Sequence, residues 1–446
     1  MTPPSDLVLI QDYYKNKMKR NEPVLSKRGA KLLENSQPLV EAHFKSESDP
    51  WCKYSNPNGY INLGTAENHL VYDLLEPVLN KNPELEALHT HYGPLYGLDS
   101  LRHAMSGYLT KMTGAPVKKD QIVTASGSSA IIDMLMYCLC DSGDGVIIPA
   151  PYYAGFDHDL KGRSNVEPIP VVLKPENGYK ITQEAMQETL VQARMRQIKV
   201  KALLIASPNN PLGKVYDEDT LKLLLNFATE QKLELISDEL YAQSVFGDAT
   251  YQSFWKLAHE SGKNIHLVYG FAKDFGLSGF KTGFLVTNSE RVLHAMRELS
   301  YFAPVSNATQ KILENLISDK KFMQEFFKEN RKRLKHAFEV LSSALNKEDI
   351  PHYKASAGFF AWLDLREYLA SEDEDAEMDL YFKLLNEGKV NLSPGQLFHG
   401  SEPGYFRLCF ARPDEMLKES VKRIASVLKD VPKVDKKIQP KVVKLG

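Results

Sequence analysis

Seven short runs of β-branched and other apolar residues, most of them continuous rather than alternating, are what most constrains this chain: Gln121 to Ala125, Gly145 to Pro149, Asn165 to Val171, Ala202 to Ala206, Leu233 to Ser237, Ile265 to Tyr269 and Gly283 to Thr287. A strand with one wet face alternates polar and apolar residues, whereas a continuously apolar strand is covered on both faces. Helical stretches such as Ser129 to Cys140 and Asp217 to Lys232 lie between the runs. The order predicts an α/β fold with a mainly parallel central sheet flanked by helices. In such sheets ligands gather at the carboxyl ends of strands.

After about Val305 the texture changes. Phe322 to Leu345 is a long, charge-laced amphipathic helix without glycine, whose charges read as a solvated face. It leads to a smaller α/β unit made from the Gly358 to Leu365 run, an acidic helix near Ser371 to Gly388, and a strand from Tyr405 to Phe410. The expected division is a large domain at 65–320, a small one at 321–430, an N-terminal segment 1–64 packing with the small domain, and a loose Lys- and Pro-rich tail at 431–446.

The chain has 446 residues, 43% of them hydrophobic and 25% charged, enough for two cored domains. Its net charge of −2 gives no case for nucleic acid or an acidic membrane surface, and no window reaches the roughly 18 apolar residues of a membrane span. Cys52, Cys138, Cys140 and Cys409 form no Cys-x-x-Cys pair and read as reduced thiols. The apolar patch Leu7 to Ile10 is too short for a secretory signal, and the basic residues Lys15 to Arg20 follow it rather than precede it. A cytoplasmic location is expected, and the sequons at Asn307 and Asn391 are chance matches.

The chemistry begins at Lys273, which follows the Ile265 to Tyr269 run and precedes a turn at Gly276. A single lysine is ordinarily a surface residue; its company changes the reading. Ala125-Ser126-Gly127-Ser128-Ser129 ends one strand and opens a helix, which makes an anion site, although alone it is equally a helix cap. Asp238 follows an apolar strand, where an unpartnered acid is costly. Asn210 lies in Ser207-Pro208-Asn209-Asn210-Pro211-Leu212-Gly213 and Tyr241 closes the run from Leu235; alone, Asn210 is also a turn residue. Tyr152 and Tyr153 offer aromatic faces, and Arg407 sits in an otherwise apolar strand, where a guanidinium needs an anion. A lysine for an aldehyde, an acid for a ring nitrogen and a cradle for a phosphate are what pyridoxal 5′-phosphate (PLP) requires.

With these residues in view, roughly residues 55 to 430 resemble fold-type I PLP enzymes of the class I/II aminotransferase superfamily, and specifically their 1-aminocyclopropane-1-carboxylate (ACC) synthase branch. The stretches Gly64-Thr65-Ala66-Glu67-Asn68, Pro151 to Asp157, Pro304 to Gln310 and Asn391 to Gly395 carry that finer likeness. The resemblance implies that Lys273 bonds the cofactor aldehyde and takes the Cα proton, and that Asp238 pairs with the pyridinium. Asn210 and Tyr241 bond the phenolic oxygen, Tyr153 stacks on the ring with Tyr152 as fallback, and Ser128, Ser129 and Lys281 hold the phosphate. Arg407 binds the substrate carboxylate and Glu67 lies near the amino group. Tyr92 reaches the phosphate of a neighbouring subunit, so a homodimer with shared sites is implied.

The implied reaction is conversion of S-adenosylmethionine to ACC and methylthioadenosine. Transamination and β- or γ-elimination or replacement share its first step and stay open. A catalytically weak regulatory or scaffold relative is the alternative from another class. Its motive is two departures: Gly270 where the family has serine, and Lys281 where it has arginine. On this reading, Gly270→Ser together with Lys281→Arg tightens PLP.

Overall fold

The computed structural model describes residues 25–33, 38–81 and 83–431; the expected tail from 432 onward and residues 1–24 lie outside the described residues. The helix Lys27–Leu33 belongs to one compact unit, Met1–Pro38, and everything below concerns the other, Leu39–Gly446.

The strands among the described residues are β1 (Ile61–Asn62), β2 (Ile122–Ala125), β3 (Gly145–Ala150), β4 (Glu167–Val172), β5 (Val200–Ala206), β6 (Glu234–Asp238), β7 (His266–Gly270), β8 (Gly283–Thr287), β9 (Phe360–Asp364), β10 (Val390–Asn391), β11 (Ser393–Pro394) and β12 (Tyr405–Cys409). Seven of them form the central sheet in the order β2-β8-β7-β6-β5-β3-β4. β7, β6, β5, β3 and β4 run parallel, and β8 is antiparallel to both neighbours. Each apolar run of the sequence became a strand. β2, β3, β7 and β8 are buried throughout, as continuous apolarity requires. β5 and β6 are buried except at their first residues, and β4 is the most open of the seven. It carries Pro168 and Pro170 and is partly exposed, and it lies at the edge, where a missing N–H breaks no ladder.

Register then decides where chemistry falls. Ala206 pairs with Asp238 and Asp238 with Val268, so the last residues of β5 and β6 end level with one another beside β7. Helices α1 (Asp99–Thr113), α2 (Ser128–Leu139) and α3 (Gly155–Lys161) follow within the same region. The residue before α2 is Gly127, whose φ of +104° is open to glycine and strained for other residues.

Helix α4 (Lys320–Lys347) is longer than the sequence suggested; Asp319 caps it by accepting from the Phe322 N–H at 2.9 Å. Beyond it, β9, β12 and β11 form a separate antiparallel sheet, packed with α5 (Glu374–Asn386) and α6 (Asp414–Lys429) around Phe359, Phe406 and Leu408. β1 pairs with β10 in parallel, which joins residues near 61 to that end of the chain. β1, β10 and β11 are two residues each, too short to leave a periodic signal in sequence.

Candidate active site

A cavity of about 170 Å³ opens at the carboxyl ends of β6 and β7. Its lining includes Ser128, Ser129, Tyr153, Asn210, Asp238, Tyr241, Lys273 and Lys281, which the sequence had scattered over more than 150 positions.

One end is the turn into α2. Ser128 and Ser129 open the helix, so their backbone N–H groups have no partner in a preceding turn and the helix dipole favours an anion there. The Lys281 ammonium lies against this turn: a Cβ built on Gly127 would stand 3.6 Å from its Nζ. Here the structure corrects the expectation for Gly270. A Cβ on Gly270 would stand 2.7 Å from Ser128 Oγ and 3.0 Å from the Thr282 carbonyl oxygen. The Ser128 hydroxyl fills the space a serine at 270 would need, so a serine there displaces a hydroxyl instead of adding one.

In the middle, Lys273 Nζ donates to the Ala66 carbonyl at 2.7 Å. Burial, helped by the charge of Arg407, lowers its pKa to about 8, with Glu67 and Asp238 pulling the other way. Asp238 is 5% exposed, and among the described residues the Leu240 N–H, at 3.2 Å, is its one direct donor. Burial raises its pKa to about 7, opposed by that N–H and by Lys273. The Asp238 carboxyl therefore lacks the partner that would hold it ionised. Tyr241 is buried against the edges of Phe359 and Phe360, and burial pushes its phenol well above the usual value. Of the two candidate rings, Tyr153 lines the cavity. Tyr152 turns away, donating to Asp157 at 2.8 Å and stacking on His399 at 4.6 Å.

Arg407 stands behind the lining, bonded to Asn210. It sits in β12 opposite Trp362 on one side and Ser393 on the other, 3% exposed, with its guanidinium 5.0 Å from the Phe360 ring centre and 4.8 Å from that of Phe398. It donates to Asn210 Oδ1 at 3.1 Å, to the Gly64 carbonyl at 2.5 Å and to Ser393 Oγ at 3.3 Å, while its Nε has no partner. No carboxylate of the described residues pairs with it. Because Arg407 holds the Asn210 oxygen, the Asn210 NH₂ group is what that side chain has left for a ligand.

Besides Tyr152, three predicted residues do not line the cavity: Arg407, which meets it through Asn210, and Glu67 and Tyr92. Glu67 is half-buried and hydrogen-bonded with His69 at 3.3 Å, and it acts on Lys273 only through its charge. Tyr92 is fully exposed. Sequence reasoning missed Asp159, which lines the cavity from α3 with Oδ2 unpartnered and a pKa raised to about 7, chiefly by burial. Its signal was legible: Phe156, Asp159 and Leu160 share one helix face and all three are buried. Ser278 and Thr282 also line the cavity and went unpredicted.

These residues fit PLP on observations of the site itself. There is an anion cradle at a helix start, a buried carboxyl short of a cation, a low-pKa lysine between them, and a buried guanidinium without an acid. The chain belongs to the class I and II aminotransferase family, whose model matches residues 58–424; it is a PLP-dependent enzyme of fold type I. Within that family it stands near the ACC synthases. It is 37% identical over 405 residues to a 1-aminocyclopropane-1-carboxylate synthase of Cucurbita maxima, covering 86% of this chain and 85% of that one. It is 38% identical over 388 residues to 1-aminocyclopropane-1-carboxylate synthase 5 of Arabidopsis thaliana, covering 83% of each. The fold is that of an aspartate aminotransferase from Thermus thermophilus solved with maleate, at TM-score 0.75 and 22% identity, covering 91% of this chain and all of that one. An aromatic aminotransferase from Pyrococcus horikoshii aligns at TM-score 0.72 and 24% identity, covering 88% of this chain and 99% of that one. Among the described residues no helix is long and apolar enough to cross a membrane.

Proposed function

We propose that this enzyme acts as an ACC synthase, converting S-adenosylmethionine to ACC with release of methylthioadenosine. The observation that carries the reading is Arg407: a buried guanidinium with no acidic partner, bonded to Asn210 in the wall of the cavity that holds Lys273 and Asp238. The ACC synthase relatives select the reaction.

Bound in the cavity, PLP supplies an electron sink for charge developing at the substrate Cα. The rest is work for side chains. Ser128, Ser129 and Lys281 would hold its phosphate. Asp238 would stay ionised beside a cationic ring nitrogen, because that charge offsets its burial. The Asn210 NH₂ and Tyr241 hydroxyl would donate to the ring oxygen, and Tyr153 would face the ring. Arg407 grips the substrate α-carboxylate. Lys273, with a pKa of about 8, is neutral often enough near neutral pH to accept the Cα proton. The Cα–H bond breaks and its proton goes to Lys273. The Cγ–S bond breaks, and methylthioadenosine leaves with that electron pair, which neutralises the sulfonium. The Cα–Cγ bond closes the ring.

The fuller assembly belongs to the same proposal: a cytoplasmic homodimer with Tyr92 reaching the partner's phosphate site, and domains at 65–320 and 321–430. Supporting the dimer, Tyr92, Tyr301 and Phe302 are exposed aromatics. The segments that carry them are tied together by Asn307 Nδ2 donating to the His91 carbonyl at 2.9 Å, and the second is tied to the α2 turn by Ser126 N donating to Ala303 O at 2.9 Å.

The test is incubation of PLP-loaded enzyme with S-adenosylmethionine, following ACC, methylthioadenosine, ammonia and keto acids separately. ACC and methylthioadenosine in equal amounts are expected. Keto acid or ammonia without ACC overturns the reading.

A further inference from the structure

A second cavity, of about 630 Å³, lies between α1 and the start of α4 and shares no lining residue with the first. Tyr108, Met112, Met323 and Phe327 give it an apolar wall. Its charged lining is of one sign: Lys111, Lys320 and Arg331, with no Asp or Glu. Cations elsewhere on this molecule commonly collect a carboxylate, as Lys222 does with Glu218 and Lys311 with Glu314. Among the described residues Lys111, Lys320 and Arg331 make no ion pair, and Arg331 reaches only the Gln243 amide oxygen, at 3.5 Å. The buried carboxylate behind the wall, Asp274, is already engaged. It accepts from Ser244 Oγ at 2.6 Å, the Gln243 N–H at 2.8 Å and the Tyr269 hydroxyl at 2.9 Å. Tyr269 in turn meets the Tyr108 hydroxyl at 2.8 Å and fixes that wall.

Gly107 makes an independent point. It lies inside α1 and lines this cavity, and a glycine within a helix is destabilising relative to alanine. Neither backbone nor packing asks for it here. Its φ is ordinary, and an added Cβ would meet nothing within 4 Å. What the missing side chain does is leave the cavity open.

We infer that this cavity binds a small amphipathic anion, a carboxylate, sulfonate or phosphate head on an aromatic or aliphatic body. The volume suits a molecule of that size. Unpaired cations take the head, and the tyrosine, methionine and phenylalanine side chains take the body.

The probe is 8-anilinonaphthalene-1-sulfonate, titrated by fluorescence into PLP-saturated full-length enzyme, so that the first cavity is filled. Saturable binding at one site is expected, and the uncharged analogue N-phenyl-1-naphthylamine should bind about tenfold more weakly or worse, because it lacks the head. Lys111→Gln with Arg331→Gln should weaken the sulfonate by a similar factor and leave the neutral analogue unchanged. Gly107→Phe should abolish binding with the melting temperature kept or raised, since the space is open and the helix gains a side chain. Inorganic phosphate should compete only at far higher concentration. Sulfonate binding unaffected by Gly107→Phe, or equal affinity for the neutral analogue, overturns the inference. So does a change of oligomeric mass in Gly107→Phe by light scattering, which would make this face a subunit contact.

Discussion

The two sides of the active site solve opposite problems. At the β12 end, Arg407 is buried, wedged between two rings, and held by Asn210, Gly64 and Ser393, leaving one N–H unpaired. At the α2 end, Ser128, Ser129 and Lys281 are more open and are held loosely: Ser128 Oγ reaches the Tyr269 carbonyl only at 3.4 Å. A pre-positioned guanidinium suits a ligand that arrives and leaves each turnover, because little ordering is left to do on binding. A helix start with an adjacent ammonium suits a dianion that stays. The contrast teaches which end holds substrate and which holds cofactor, and it predicts that mutations will separate KM from PLP affinity.

The largest effect is expected at the centre. Lys273→Ala should reduce turnover by about a thousandfold or more, since it removes the proton acceptor, while circular dichroism shows a folded protein. Near-normal ACC formation would remove Lys273 from the reaction.

Asp238→Asn should lower turnover on the order of a hundredfold, by loss of a charged partner for the ring, yet stabilise the apo protein at neutral pH. The sign follows from the raised pKa. Between 3.8 and about 7 the folded chain keeps a proton that the unfolded chain has released, so the contribution of Asp238 to stability falls as pH rises through that window. Asparagine has no such loss. Apo melting temperatures should therefore be higher for the variant above pH 7 and converge with wild type below pH 4. Parallel curves across the whole range would mean Asp238 is not desolvated as described.

Arg407→Lys tests the substrate end: KM should rise about tenfold to a hundredfold, because lysine cannot make the two-pronged contact, with PLP affinity unchanged by titration of the apo protein. A matching loss of PLP affinity would erase the distinction between the ends.

The smallest change sharpens the cofactor end. Gly270→Ser should weaken PLP about tenfold by crowding Ser128, and Ser128→Ala added to it should recover much of the loss. Tighter PLP in the single variant would show that Ser128 yields the space freely.

Much of this was legible in sequence, for identifiable reasons. The seven strands of the central sheet announced themselves through continuous apolarity, and Asp238 and Arg407 stood out as charges in apolar runs. Asp159 could have been found by the same logic on a helix. The Gly270 correction could not, because Ser128 lies 142 positions away and only the fold brings its hydroxyl to 2.7 Å from where a Cβ would stand. Tyr152 and Tyr153 are adjacent and chemically alike, so only the direction of each side chain separates them.

Two lysines line one cavity, and the account gives them different ligands: Lys273 the cofactor aldehyde, Lys281 its phosphate. Borohydride reduction of PLP-loaded enzyme, followed by peptide mapping, fixes the cofactor to whichever lysine bonds its aldehyde. The account predicts a single pyridoxyl label on Lys273. A label on Lys281 would turn the cofactor end for end in the cavity and contradict the assignment of both its ends.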